Sequence, residues 1–372
     1  MNELAPSSPF RKTAESFIAG AKTLPQRYFV SDEVFAEEAA KIFSARWICV
    51  GHESELARAG DFLLAEVSGE SLILTRDQAG GVRGFYNVCR HRGTRLCETA
   101  SGHSVAIQCP YHAWTYALDG RLIGAPQMED LAKSDYSLYP VRVESWEGFL
   151  LVNLDADAAA LEQVFAPVLG KFAHWNLPRL RSAKRIDYEV RANWKLIFEN
   201  YSECYHCPGV HPLLAKVSPS DSAQNDLVEG PFLGGFMAIA EGASLTMSGK
   251  ACAIAVGEMQ SADHARVFYY SIFPNLLLSL HPDYVMVHRL TPCSPERTLV
   301  QCDWFFNPDA FTQTDFHPED AVEFWDTTNR QDWHVCELSQ KGISSRAYAP
   351  GPYSPRESIP AAWDREYLRQ LG

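Results

Sequence analysis

Asn87-Val-Cys-Arg-His-Arg-Gly93 and, further on, Cys109-Pro-Tyr-His112 are the stretch on which the fold turns. Cys89 and His91 form one mixed thiol–imidazole pair, and after seventeen intervening residues Cys109 and His112 form a second. Each pair sits where an alternating run breaks into a turn, so both can present their side chains from paired β-loops. Two thiolates and two imidazoles so placed can hold a tetrahedral zinc ion, or a [2Fe–2S] cluster with two cysteines on one iron and two histidines on the other. Ligand chemistry alone does not choose between them. Zinc fingers pair like with like, whereas each pair here is mixed, which favours iron. Cys97, between the pairs, is left out and reads as a buried thiol.

Outward from this core the texture is short and alternating. DFLLAEV (61–67), SLILTRD (71–77), VRGFYNV (82–88) and GFLLVNL (148–154) predict a small all-β unit from about Gly51 to about Asp155. Before it, residues 27–48 read as a helix with an apolar stripe through Val34, Phe35, Ala39, Ile42 and Phe43. After it, residues 157–177 read as helical. DYEVRANW, FLGGFMAIAEG, ARVFYYSIF, NLLLSL and TLVQCDWFF then predict a larger antiparallel sheet. Helices over about 194–207 and 318–341 interrupt it, the second opening at Pro318. The expected organisation is α+β. A lead-in helix over 1–44 packs on the larger domain, 45–156 is the inserted all-β module, and 157–372 is the larger domain.

That last segment carries a second constellation. In Glu199-Asn-Tyr-Ser-Glu-Cys-Tyr-His-Cys-Pro-Gly-Val-His211-Pro, residues Glu203 and His206 share a helical face at i, i+3. His211 lies about 140° from His206 on a continuous helix, but Pro208-Gly209 ends the helix and lets the chain return it. Two imidazoles and a carboxylate with open positions are the donor set of non-haem Fe(II) oxygen chemistry. The carboxylate predicted is Asp332. It falls on the inward stripe Ala321, Phe324 or Trp325, Thr328, Asp332, Val335 or Cys336, Ser339, where an unpaired charge is costly and a metal compensates it. Asp326 and Glu323 fall off that stripe. Cys204-x-x-Cys207 also suits a redox or zinc pair, but it lies inside the histidine motif and lacks a second pair. His288 has no partner at ligand spacing and reads as ordinary, and His281 and Tyr284 read as a hairpin turn, with lining of the pocket as the alternative.

The pattern C-x-H-x17-C-x-x-H, with Arg-Gly after His91 and Pro-Tyr before His112, resembles the motif of Rieske oxygenases that hydroxylate rings or demethylate amines. The segments around Glu203 and from Gln331 to Tyr348 are similar to the choline, glycine betaine and carnitine monooxygenase branch, and many ring-hydroxylating relatives place Asp where Glu203 stands. The resemblance spans essentially the whole chain. It implies a Rieske domain ahead of a helix-grip catalytic domain, the cluster held by Cys89, His91, Cys109 and His112, and Fe(II) held by His206, His211 and Asp332. It further implies a homotrimer in which Glu203 bridges the two metal sites of neighbouring subunits, and O2-dependent hydroxylation of a small quaternary ammonium compound with loss of formaldehyde. No G-x-G-x-x-G or flavin signature is present, so electrons from NAD(P)H must come through a separate flavin/iron–sulfur reductase. Aromatic-ring hydroxylation or O-demethylation stays open. So does a Rieske electron carrier or zinc-binding module without catalysis.

The composition fits this reading. With 372 residues, 46% hydrophobic and 21% charged, the chain has the make-up of a two-domain globular protein. A formal net charge of −13 with no basic cluster argues against nucleic acid or an anionic membrane as partner. The first twenty residues lack a basic start followed by an apolar run, and no stretch approaches the roughly 18 apolar residues of a membrane span, so a cytoplasmic location is expected. Ten cysteines over this length are too sparse for a disulfide scaffold and predict mostly buried thiols.

Overall fold

A computed structural model describes residues 9–372; the first eight residues of the lead-in segment and of the N-terminal stretch discussed above lie outside it. The chain is α+β and divides into two compact units, Ala39–Val164 and a discontinuous one made of Phe165–Gly372 with the segment up to Glu38.

Ala39–Val164 is all-β apart from short turns. Its main sheet has seven strands in the order Ile48–His52, Phe149–Asn153, Pro140–Trp146, Val82–Tyr86, Glu70–Arg76, Asp61–Val67, Ser101–His103. Period-two alternation makes these strands: along Asp61–Val67 every second residue is buried. A three-stranded sheet of Ile107–Gln108, Thr115–Tyr116 and Leu122–Gly124 accompanies it. Ile73, Phe85, Trp114, Tyr116, Leu118, Leu122 and Leu138 form a core that includes Cys89 and Cys109.

The other unit is built on an eight-stranded antiparallel sheet. Its order is Arg11–Lys12, Gln224–Leu227, Phe232–Ala238, Arg266–Ile272, Leu276–Leu280, Val285–Ser294, Arg297–Phe306, Arg181–Val190. The long helix Pro318–Ile343 begins with proline in its first turn, carries Glu319 and Asp320 at its positive end and Lys341 at its negative end. It buries Ala321, Phe324, Trp325, Thr328, Asn329, Trp333, Cys336, Gln340 and Ile343. The stripe thus exits through Gln340 rather than Ser339, because the Gln340 amide caps two backbone groups, accepting from Asn193 N (2.9 Å) and donating to Phe29 O (3.2 Å). Helix Trp194–Tyr201 starts at the Asn193 cap. A buried ion pair, Lys195 Nζ to Glu38 Oε1 at 2.5 Å, ties it to helix Asp32–Glu38. Trp194 Nε1 (2.9 Å) and Tyr367 Oη (2.6 Å) satisfy the same carboxylate, which is the condition under which a buried pair holds.

Three helical expectations change. Residues 27–48 are not one helix: Arg27–Val30 stops at Ser31, whose extended backbone starts Asp32–Glu38, and a π-type turn over Ala39–Phe43 follows. Residues 157–177 give only single turns, Leu161–Val164 and short 3-10 pieces, broken around Pro167 and Gly170. The helix expected to reach 207 ends at Tyr201.

Candidate active site

The loops bearing the two Cys/His pairs share one backbone design. Cys89 N–H donates to Thr94 O (2.8 Å) and Gly93 N–H to Cys89 O (3.0 Å); Cys109 N–H donates to Trp114 O (2.8 Å) and Ala113 N–H to Cys109 O (3.0 Å). Each loop closes through a left-handed residue, Gly93 at φ 75° and Ala113 at φ 57°. Cys89 and Cys109 are 3% and 2% exposed. The His91 and His112 rings lie 4.6 Å apart, with Trp114 stacked on His91 at 4.9 Å. His91 Nδ1 is buried without a hydrogen-bond partner, the state of a donor atom shaped for a ligand from outside the protein. Two buried thiols with two adjacent imidazoles are the donor chemistry of a Rieske cluster. The Tyr116 hydroxyl accepts from Arg90 N–H (3.0 Å) and lies 3.3 Å from Cys89 Sγ, so its own proton is free to point at the sulfur.

In the larger unit, three donor atoms converge. His206 Nε2 and His211 Nε2 are 3.2 Å apart, and Asp332 Oδ1 is 3.2 Å from the first and 2.8 Å from the second. An ion bound at about 2.1 Å, a usual imidazole–metal length, needs donors roughly 3 Å apart. Among the described residues this is the one group of three or more such side chains whose donor atoms converge closely enough for a metal. Each imidazole turns its other nitrogen to an acceptor: His206 Nδ1 to Glu203 Oε1 at 2.5 Å, His211 Nδ1 to Gln331 Oε1 at 2.8 Å. This fixes the rings with Nε2 toward the common point. Burial pulls the His206 imidazole down, but Asp332 and Glu203 outweigh it and hold it at about 10. Burial likewise pushes Asp332 up, and the hydrogen bonds from His206 and His211 overcome it to leave the carboxyl below its usual range.

The local chain differs from the helical expectation. Glu203 and His206 meet across a loop, not along a helix face, and Glu203 Oε2 accepts the backbone N–H groups of Tyr205 and His206. Pro208 and Gly209 lie inside a short helix, Cys207–Val210, with proline in its first turn where the missing N–H is harmless. The chain turns at His211-Pro212 instead. Cys204 and Cys207, weighed above as a redox or zinc pair, are joined by a disulfide in this loop, and the other eight cysteines are free. Asp326, read as off the inward stripe, accepts from Tyr188 Oη (2.7 Å) and Arg330 Nε (2.9 Å).

A cavity of about 240 Å³ adjoins the three converging donors. Aromatic side chains wall it: Tyr201, Phe236, Tyr269, Trp325 and Trp333. Tyr201 and Tyr269 are 6.0 Å apart and Tyr269 and Trp325 6.5 Å. His281 and Tyr284 stack on each other at 4.0 Å, fully buried in the turn between two strands. Sequence reasoning missed Gln331 and His288. For His288 a signal existed, because strand alternation puts it on the face of Met286, and both line the cavity.

Comparison with known proteins agrees. Residues 46–140 match the Rieske [2Fe-2S] domain, and residues 177–372 match the catalytic domain of ring-hydroxylating alpha subunits. The chain is 33% identical to the glycine betaine monooxygenase oxygenase subunit of Chromohalobacter salexigens, over 90% of this chain and 82% of the relative. It is also 33% identical to the carnitine monooxygenase oxygenase subunit of Escherichia coli K12, over 92% and 90%. Among solved structures, the quaternary ammonium Rieske monooxygenase CntA in complex with L-carnitine superposes with a TM-score of 0.77 at 29% identity, covering 100% of this chain and 99% of that one. Naphthalene 1,2-dioxygenase from Rhodococcus, at 21% identity and a TM-score of 0.78, shares the fold. With its two metal-site motifs in order along one chain, this protein belongs to the family of Rieske oxygenase alpha subunits, oxidoreductases that use a [2Fe–2S] cluster and a mononuclear iron.

Proposed function

We propose that the chain is the oxygenase component of a monooxygenase that hydroxylates, and so N-demethylates, a small quaternary ammonium or betaine-type compound. The observation that carries this reading is the aromatic wall beside the three donors. Tyr201, Tyr269 and Trp325 line a cavity that Asp332 also lines, and aromatic faces attract a trimethylammonium group where water cannot solvate it. The named activities of the relatives support the same class.

In this reading Cys89, His91, Cys109 and His112 hold the cluster and His206, His211 and Asp332 hold the iron. When bound, the two centres supply single electrons and the reduction of O2 that hydroxylates a C–H bond. The chain's own residues do the rest. Glu203 and Gln331 hold the two imidazoles in the ligating tautomer, and the aromatic walls exclude water and orient the cation. Electrons come from NAD(P)H through a separate flavin/iron–sulfur reductase. The assembly proposed is a cytoplasmic homotrimer in which Glu203 bridges His206 to His112 of a neighbouring copy. No helix among the described residues is long and apolar enough to cross a membrane.

The test is anaerobic iron quantification with electron paramagnetic resonance, then reconstitution with a reductase, NADH and a panel of choline, glycine betaine and carnitine. About three irons per chain, a Rieske signal and formaldehyde from one member are expected. Two irons per chain would make it an electron carrier, and turnover only with aromatic acids would move the substrate to the ring-hydroxylating class.

A further inference from the structure

The cavity carries positive charge that its aromatic walls leave unused. Of the residues lining it, Lys12 and Arg356 are the two whose side chains stay cationic at any physiological pH. Arg356 is half-buried. Among the described residues its guanidinium makes no ion pair; its side-chain contacts are one hydrogen bond, donated from Nη2 to Ser220 Oγ at 3.4 Å, and the Tyr205 ring, 5.9 Å from Cζ. Ser220 and Tyr205 line the cavity too. A guanidinium has five N–H donors in a fixed fork, so most of this one is uncommitted.

Local structure holds the arginine in place. It sits in the short turn Pro355–Glu357, fixed by a reciprocal cap in which Ser354 Oγ accepts from Arg356 N–H (3.1 Å) and Glu357 Oε2 from Ser354 N–H (2.7 Å). Ser16 Oγ and Ser358 Oγ meet at 3.0 Å, which joins this turn to the segment that follows Lys12. Lys12 is on the edge strand of the eight-stranded sheet, and Ser220 precedes the neighbouring strand Gln224–Leu227. Tyr269 is on the strand three places in from Lys12, about 14 Å across at the usual spacing of about 4.8 Å, and Trp325 packs on it. Among the described residues, Tyr205 is the one ring within cation–π reach of Arg356, so the rings of Tyr201, Tyr269 and Trp325 stand apart from it. The cavity therefore has an aromatic region suited to a cation and, toward the sheet edge, a basic region suited to an anion.

Resting on the quaternary ammonium reading, we infer that Arg356 selects a substrate that carries a carboxylate. The substrate is then a zwitterion, its trimethylammonium group among the aromatic rings and its carboxylate on the guanidinium, with Lys12 adding charge at the same end. An arginine fork takes both oxygens of a carboxylate in two parallel hydrogen bonds, and its remaining donors are enough for this. A quaternary ammonium alcohol such as choline brings the cation but leaves the guanidinium unpaired when it displaces water. A site built to bond a polar group rejects the analogue that lacks it. Arg356 meets the end of the substrate that does not react, so its effect falls on binding and is read in KM.

The experiment compares each acid with its primary amide, which keeps the trimethylammonium group and the planar end but loses the negative charge. Formaldehyde release by the iron-loaded enzyme with reductase and NADH is measured for glycine betaine, carnitine, their amides and choline. In the wild type, at least one acid is expected to have a KM about 10-fold below that of its amide, the scale of one charge-assisted contact partly open to water. In Arg356→Gln the ratio of the two KM values is expected to approach one, the change falling on the acid. Arg356→Lys keeps the charge without the fork and is expected to fall between. Iron content and the visible spectrum of the cluster control for folding. A merely structural arginine would weaken acid and amide together and leave their ratio intact, and that result overturns the assignment. So does a wild type that takes the amides or choline as readily as the acids, a comparison that needs no variant. If no trimethylammonium compound yields formaldehyde, the demethylation reading itself has failed; if the amides or choline are demethylated and the acids have no advantage, that reading stands and only the carboxylate site is wrong.

Discussion

Gln331→Leu tests whether the proposed iron site depends on what lies behind its ligands. His211 is 2% exposed, and its Nδ1–H has one acceptor, Gln331 Oε1 at 2.8 Å. Leucine fills similar space but leaves that N–H buried and unpaired, a penalty of about 1–3 kcal/mol. The ring can escape it only by rotating or by taking the other tautomer, and both turn Nε2 away from ligation. Loss of an outer partner of a ligating histidine costs about 10–100-fold in metal affinity, which at about 1.4 kcal/mol per tenfold is the same range. The Fe(II) dissociation constant is therefore expected to rise about 10–100-fold. It is read by anaerobic competition with a colorimetric chelator, with the cluster's visible spectrum as the control for folding. Gln331→Glu keeps an acceptor and adds negative charge, so it is expected to bind Fe(II) at least as tightly as the wild type. Wild-type affinity in Gln331→Leu, or equal weakness in both variants, would refute the reasoning.

Other perturbations reach other parts of the chain. Tyr116→Phe removes the hydroxyl that Arg90 N–H aims at Cys89 Sγ; one hydrogen bond of about 1 kcal/mol to a ligand sulfur is worth about 40 mV for one electron. The cluster potential is expected to fall by that amount in a redox titration, and an unchanged potential would show that the hydroxyl points elsewhere. Ala113→Gly relieves a left-handed alanine at φ 57°, a gain of about 0.5–1 kcal/mol after glycine's entropic cost; a lower melting temperature would contradict it. Glu199 and Asp364 are two buried carboxyls, burial raising Glu199 well above its usual range and pushing Asp364 up to about 7. The native state then keeps protons that the unfolded chain loses above about pH 4, so this pair costs stability as pH rises from about 4 to 7. Thermal melts at pH 5 and 8 are expected to show Glu199→Gln gaining on the wild type at the higher pH, and the opposite trend would remove the idea.

The parts of this protein legible in the sequence are those written in residue type and period. Mixed Cys/His pairs at turn positions, alternating strands and a proline-started helix each have a local cause, and Asp332 could be singled out because a carboxylate on an apolar stripe needs a reason. What escaped was set by contacts between distant segments. Helix Trp194–Tyr201 ends where it does because the carboxylate of Glu203 captures the next loop's N–H groups, a competition that propensity does not register. Gln331 gains its role from a histidine 120 residues away. His288 reads as ordinary because it has no partner at ligand spacing, and only the fold places it beside the cavity.

Ending that helix early also suits Glu203 to the role proposed for it, one carboxylate serving two metal sites. In a continuous helix the N–H groups of Tyr205 and His206 would be spent on carbonyls one turn back. Released into a loop, both donate to Glu203 Oε2, while Oε1 takes the Nδ1–H of His206. A carboxylate offers about four acceptor positions, and these three donors fill all but one. The loop therefore holds Glu203 rigid, with its side chain 11% exposed, and leaves capacity for a single further donor. That is what the proposed electron path from the imidazole of a neighbouring copy would require: an acceptor already fixed against a proposed iron ligand, so that docking adds one hydrogen bond and orders nothing else.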